Sequence, residues 1–335
     1  AGSPKRSTSS GLSAAADPQI AAIVEAGGGH LPALLADVEQ QLLVVADLQG
    51  EPLGEYARAT ISAGGKRLRP LLVALAAGPP PEERHDQLVR AAAAVELVHV
   101  ATLVHDDVLD DASLRRGRPT VYAEAGREAA VQTGDALFAS AFSQLLESED
   151  EQQVAALATA GSALAEGELM QRSDAWDATI SLDRYVARCE LKTARLFEAA
   201  CALGSLVRGE GASTLQPFAR AIGLAFQMLD DVLDVEGPAE RTGKHRGTDL
   251  LDGTVTLPLL IARDRDKQLA DLDLREVDTP ARAEALCELI TDTGATEIAR
   301  EVALGYVIEA KAAIPQDERA EALSLVADSV VVRYS

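Results

Sequence analysis

Cysteine is scarce in this chain of 335 residues: Cys189, Cys201 and Cys287 are all there are. None has metal-site spacing, and an odd number argues against a disulfide framework, so a reducing, cytoplasmic setting is expected. Positive charge is also short. Against 53 Asp and Glu stand 31 Lys and Arg, a formal net charge of −22, which argues against non-specific nucleic-acid binding. No apolar run approaches the length of a membrane span, so no transmembrane segment is expected. No signal peptide is visible, and the start, Ala1-Gly2-Ser3-Pro4, lacks Met and reads as a processed end or an expression remnant. No alternation of β-branched residues is long enough to suggest a sheet.

What the chain does have is apolar bulk at helical spacing. Hydrophobic residues make up 47%, ample for a core. Residues 1–30 are rich in Gly, Ser and Ala and read as a flexible segment, or as a short helix ahead of a flexible joint at Gly27-Gly28-Gly29. From Leu31 the apolar positions Leu34, Leu35, Val38, Leu42 and Val45 recur at three- and four-residue steps. A second helix over about 51–63 stops at Gly64-Gly65, and a third runs from Arg69-Pro70 to Ala77. A long helix then leads to Asp111, and the Gly- and Pro-bearing stretch to Thr120 is a loop. Helical patterns return at about 128–147, 151–172, 181–207 and 214–235; the polar stretch 236–253 is a loop. Leu257-Pro258 opens another helix, and three more fill 279–333. The expectation is an all-α bundle without a convincing boundary after residue 31, hence a single helical domain over 31–335.

The chain is organised around His105-Asp106-Asp107-Val108-Leu109-Asp110-Asp111, which ends an otherwise apolar helix. Helical geometry puts Asp106 and Asp110 on one face, one turn apart. Like charges so placed repel by roughly 0.2–0.5 kcal/mol on an exposed helix, and by more where water is scarce. A cation would neutralise them, and oxygen ligands favour a hard one such as magnesium. The pattern returns at Asp230-Asp231-Val232-Leu233-Asp234, again after an apolar run. One such motif reads equally well as a solvated acidic helix end; two with matching approaches suggest walls facing each other across a cavity.

Basic clusters flank the first motif: Lys66, Arg67 and Arg69 before it, Arg115, Arg116 and Arg118 after it. The plain reading is that they pair with the aspartates. Arginine forks also suit phosphate oxygens, with lysine as a point charge. Carboxylates, a hard cation and arginines together describe a diphosphate site.

In this order the segments Gly64-Gly65-Lys66-Arg67-Leu68-Arg69-Pro70, His105-Asp106-Asp107-Val108-Leu109-Asp110 and Arg115-Arg116-Gly117-Arg118-Pro119-Thr120 resemble the trans-polyprenyl diphosphate synthase family. Gly134-Asp135, Lys192-Thr193, Phe226-Gln227-Met228-Leu229-Asp230-Asp231 and Thr256-Leu257-Pro258 extend the resemblance over roughly 31–333. It implies the isoprenoid synthase fold, a large helical bundle around a central cavity, usually a homodimer. It implies condensation of isopentenyl diphosphate with an allylic diphosphate by a magnesium-assisted carbocation. On this chain the metal-holding residues would be Asp106, Asp107 and Asp110 on one wall, and Asp230, Asp231 and Asp234 on the other. Lys66, Arg67, Arg69, His99 and Arg116 would bind isopentenyl diphosphate. Arg115, Lys192 and Lys244 would contact the allylic diphosphate, with Thr193 and Gln227 near the reacting carbons. His99 alone would more often be a core histidine; its place two turns before Asp106 on the same helix lifts it.

The resemblance also speaks to product length, because the growing tail runs along the helix ahead of the first acidic motif. Val98, Ala101 and Thr102 stand there, and none is aromatic. A product longer than geranylgeranyl diphosphate is therefore favoured, resembling heptaprenyl- or octaprenyl-type members. Phe142 resembles a deeper floor residue and reads equally as core packing. A medium-chain product, geranylgeranyl or farnesyl, stays open if a side chain from another helix closes the tunnel. The chain departs from the family pattern at Gly253-Thr254-Val255-Thr256-Leu257-Pro258, where many relatives carry Gly-Lys before Thr-Leu-Pro. The competing readings are weaker. A class I terpene cyclase has a different second metal motif and is rich in cation-stabilising aromatics, which are 3% here. A regulatory subunit typically loses one acidic motif, and both are intact.

Overall fold

The computed structural model describes residues 17–237 and 246–332. Ten helices build its first two thirds: α1 (Pro18–Gly27), α2 (Leu31–Leu48), α3 (Leu53–Ser62), α4 (Leu68–Ala77), α5 (His85–Leu109), α6 (Val121–Leu146), α7 (Glu151–Asp174), α8 (Leu182–Cys189), α9 (Arg195–Arg208) and α10 (Gln216–Glu236). After them come α11 (Leu257–Arg263), α12 (Pro280–Asp292), α13 (Ala295–Ala312) and α14 (Ala320–Val332), with four-residue helical turns at Thr248–Leu251 and Lys267–Ala270.

The central element is α5. Its buried positions run from Leu88 to Val108 and include Ala91, Ala92, Ala93 and Ala94, because it packs against α2, α4, α6 and α9 at once. A helix that is apolar on all sides belongs in a core. This corrects the expectation that no run approaches a membrane span. Glu82–Leu109, 28 residues, is long and apolar enough to cross a membrane by length and composition, and its apolar stretch is mostly buried inside the fold.

Residues 18–27 form the short helix, the second of the two readings of this segment. Asp17 caps α1 by accepting from the Gln19 amide at 2.9 Å, Pro18 presets the first turn, and Ile20 and Ile23 are buried against α14. Helix α6 starts earlier than periodicity suggests. Thr120 caps it through the Ala123 amide at 3.0 Å, and a kink at Gly126 (φ 84°) hides the first turn from a 3.6-residue pattern. The expected helix over 181–207 is three pieces: α8, a π turn at Glu190–Ala194, and α9. The expected loop before Thr120 holds a two-residue antiparallel hairpin, Leu114–Arg115 against Arg118–Pro119.

Candidate active site

Two chambers meet beneath the C-terminal ends of α5 and α10. The basic chamber, about 590 Å³, is lined by Lys66, Arg67, Arg69, His99 and Arg116, with Gln19, Ile20 and Val330 from the terminal helices. The acidic chamber, about 340 Å³, is lined by Asp106, Asp110, Lys192, Thr193, Gln227, Asp230 and Asp231, among others. Arg69, His99, Leu103, Arg115, Phe226 and Asp230 border both, so the chambers adjoin.

Local backbone sets the basic wall. Arg67 and Arg116 both occupy the left-handed region, at φ 48° and 52°, which non-glycine residues adopt when surroundings over-determine them. Arg67 is held by Glu39 at 2.5 Å and 3.2 Å, Glu96 at 2.7 Å and the Ile61 carbonyl at 2.7 Å. It is thus an anchor of the wall as well as part of its lining. Lys66 reaches Asp17 at 2.6 Å, which ties α1 over the chamber. Arg69 lies over the Phe197 ring, 5.1 Å from its centroid. Burial, followed by the charges of Arg69, Arg116, Arg67 and Arg115, holds the His99 imidazole well below its usual pKa, so it is neutral and able to donate from one ring nitrogen.

On the acidic side, the π turn carries Lys192 and Thr193. Such turns widen the helix and re-aim side chains. Helices α7 and α10 close on it through glycines: a Cβ at Gly167 would lie 2.7 Å from the Lys192 nitrogen, and one at Gly223 2.6 Å from Ala194 Cα. Thr193 then donates to Gln227 Oε1 at 2.6 Å, Gln227 Nε2 donates to Asp231 at 2.9 Å, and Tyr185 donates to Asp231 at 2.7 Å. Lys192 meets Glu168 at 2.6 Å, Glu168 also holds Arg172 at 2.9 Å, and Arg172 reaches Asp110 at 2.7 Å. Burial, with Glu168 and Asp110 nearby, pushes Asp106 up to about 6 despite Lys192 and Arg115. Burial likewise pushes Asp231 up to about 6, against the hydrogen bonds from Tyr185 and Gln227.

Several expected residues lie elsewhere. Asp107 is rotated about 100° around α5 from Asp106, is buried, and accepts from Arg115 at 2.7 Å. Asp234 accepts from the Asp249 amide at 3.2 Å. Val98 and Ala101 are fully buried in the core; Thr102 lines the acidic chamber. Phe142 packs on Phe138, with ring centroids 5.5 Å apart. Lys244 lies outside the described residues. Sequence reading passed over Glu168, Arg172, Tyr185 and Arg188. The signal for the first two was their one-turn spacing on α7, and for the others their place one and two turns before Lys192.

Carboxylates on facing walls are oxygen donors of the kind hard divalent cations prefer, and burial raises Asp106 and Asp231 even though positive side chains lie near them. Among the described residues, no three His, Cys, Asp or Glu side chains by themselves form a ready metal cluster. Fold and site together define an all-helical protein whose cavity sets carboxylates beside arginines and lysines, a lining suited to diphosphate esters and a hard cation. Residues 51–290 match the polyprenyl synthetase family, and the chain belongs to that family. It is 42% identical to heptaprenyl diphosphate synthase component 2 of Geobacillus stearothermophilus over 68% of this chain and 72% of that one. It is 35% identical to geranylgeranyl diphosphate synthase of Methanosarcina mazei over 78% and 82%. The structure of a Caulobacter crescentus polyprenyl synthase complexed with calcium and isoprenyl diphosphate superposes with a TM-score of 0.86, at 34% identity, covering 93% of this chain and 98% of that one. The chain is a prenyltransferase, and isoprenyl diphosphates are its substrate class.

Proposed function

We propose that this prenyltransferase condenses isopentenyl diphosphate with an allylic diphosphate to give an all-trans polyprenyl diphosphate longer than geranylgeranyl. The observation that carries this reading is the shared border of a basic and an acidic chamber, where Leu103 and Phe226 stand among Arg69, His99, Arg115 and Asp230, which sets two anion sites side by side. Isopentenyl diphosphate would sit on Lys66, Arg69, Arg116 and the neutral His99, with Arg67 bracing the wall. The allylic diphosphate would sit on Lys192 and Arg115.

Asp106, Asp110 and Asp230 fit magnesium, which takes one or two carboxylates together with substrate phosphate oxygens. That fits a site where protein donors alone form no complete cluster. When bound, the cation would neutralise charge on the departing diphosphate. The protein's own part is positional. Lys192 and Arg115 stabilise the leaving diphosphate. The Thr193 and Gln227 oxygens present dipoles toward the allylic carbon as it becomes cationic. Phe226, Leu103 and Leu196 keep water from it. The double bond of isopentenyl diphosphate attacks that carbon, and the released diphosphate takes the proton. Asp107 acts by fixing Arg115, and Asp231 by fixing Gln227.

A long product is supported by the non-aromatic Thr102, Leu164 and Leu196 in the acidic chamber, where the aromatic Phe226 stands at the border with the basic chamber. The reading includes a homodimer and a cytoplasmic setting, the latter supported by three free, buried cysteines. The test is product analysis with purified protein, magnesium, labelled isopentenyl diphosphate and farnesyl diphosphate. A ladder ending beyond geranylgeranyl is expected. A ladder stopping at geranylgeranyl returns the enzyme to the medium-chain class. No elongation with any allylic primer sinks the stand-alone synthase and moves weight to a two-component enzyme.

A further inference from the structure

Arg188 belongs to none of the motifs described so far. It sits on α8, one turn before Lys192, and lines the acidic chamber. It is 4% exposed. One arm of its guanidinium, Nη2, donates to the Val255 carbonyl. The other, Nη1, is buried without a hydrogen-bond partner. The Tyr185 ring lies beneath the group at 5.5 Å. The neighbouring carboxylate, Asp231, takes its hydrogen bonds from Tyr185 and Gln227 instead. A buried cation with an unused N–H end is costly, and chains retain one where an anion arrives to complete it.

The location says which anion. Val255 follows Thr254, the position where the family pattern carries a lysine and this chain does not. Thr254 borders the same chamber. Arg188 therefore adds a positive charge to the chamber whose lining also includes Lys192 and Arg115, beside the position where this chain lacks that lysine.

We propose that Arg188 is a diphosphate-binding residue of the allylic site, its Nη1 arm donating to a phosphate oxygen while Val255 holds the other arm. The proposal rests on the prenyl-transfer reading for the identity of the ligand. Arginine suits the task because its planar fork binds the carbonyl and the phosphate together, which a lysine on α8 would not do.

The experiment measures inorganic diphosphate binding, with magnesium, by calorimetry on the full chain. It compares wild type, Arg188→Met, Arg188→Lys and the double variant Arg188→Met with Thr254→Lys, and adds KM for farnesyl and isopentenyl diphosphates. Arg188→Met is expected to weaken diphosphate binding by about 10- to 100-fold. KM for farnesyl diphosphate should rise in step while KM for isopentenyl diphosphate stays. Adding Thr254→Lys should restore most of the loss, because it returns the charge without the Val255 bond. If Arg188→Met does not fold, Arg188→Lys carries the comparison, with an intermediate loss of diphosphate affinity and farnesyl diphosphate KM expected. A folded variant that binds diphosphate like wild type overturns the proposal, as does a loss that Thr254→Lys leaves untouched. Elongation by wild type with Arg188 immaterial sinks the proposal alone. Arg188-dependent binding of diphosphate without any elongation sinks the prenyl-transfer reading and leaves the anion site standing.

Discussion

The Thr193 hydroxyl donates to Gln227 Oε1 at 2.6 Å, and this bond fixes which way the Gln227 amide faces. With Oε1 toward Thr193, Nε2 is turned to Asp231 at 2.9 Å. The π turn that presents Thr193 and the acidic end of α10 are thereby locked together. Thr193→Val keeps the shape and removes both the hydroxyl dipole and one of the two bonds that orient the amide, leaving only the bond to Asp231. Loss of one preorganised dipole is expected to lower kcat by about 10- to 100-fold with little change in KM for either substrate. Single-turnover elongation of farnesyl diphosphate checks this; an unchanged chemical rate would remove both residues from the cation-stabilising role.

Arg172 holds Asp110 at 2.7 Å, and both side chains are 44% exposed. A guanidinium there competes with any cation for the same carboxylate. Exposed pairs contribute about 0.2–1 kcal/mol, so Arg172→Leu is expected to tighten magnesium binding by no more than about fivefold. Calorimetric titration of the metal into the substrate-free protein reads this directly. A weaker affinity in the variant would mean that Arg172 assists the site.

The helices were legible because α7 and α10 carry apolar residues at helical spacing, α5 is one long apolar run, and the two acidic motifs fall at the C-terminal ends of α5 and α10. Side-chain direction was not legible. Asp107 and Asp234 share motifs with Asp106 and Asp230, yet helix rotation turns Asp107 to Arg115, and a backbone amide captures Asp234. The π turn was invisible for a related reason: Glu190–Ala194 has ordinary helical composition, and its extra width depends on Gly167 and Gly223 from other helices. Arg188 gave only its place one turn before Lys192 as a signal, since a surface arginine and a buried one look alike until Val255 accepts from it.

Glu168 supports Lys192 and Arg172 together, and its side chain is 17% exposed. Burial alone would raise its carboxyl, but the charges and hydrogen bonds of Lys192 and Arg172 outweigh that and hold it below the ordinary 4.5. A carboxyl depressed on folding stabilises the native state above its unfolded pKa, and the contribution disappears as pH falls through the folded value. Glu168→Gln is therefore expected to cost about 1–3 kcal/mol at pH 7. The gap from wild type should close as the pH drops below 4.5. Urea unfolding at several pH values measures both. A gap independent of pH would show that Glu168 acts by packing and not by charge.

Thr102 decides how far the tail can extend if the tail follows α5. It stands one turn before Asp106, its hydroxyl turned back to the His99 carbonyl at 2.8 Å, and Leu164 and Leu196 also line its chamber. Ala101, its neighbour, is fully buried, so a large side chain there would disturb the core by overpacking and confuse stability with specificity. Thr102 already borders open space, and Thr102→Phe would place a ring in that space with less cost to the fold. The first condensation, which needs only the short primer, should keep a rate within a few fold of wild type. Later condensations should stop early, moving the end of the product ladder to geranylgeranyl or shorter. Product chain lengths from one labelled reaction check the shift. An unchanged ladder at an unchanged rate would mean that the tail leaves the acidic chamber by another wall, and the non-aromatic lining at Thr102 would then carry no information about product length.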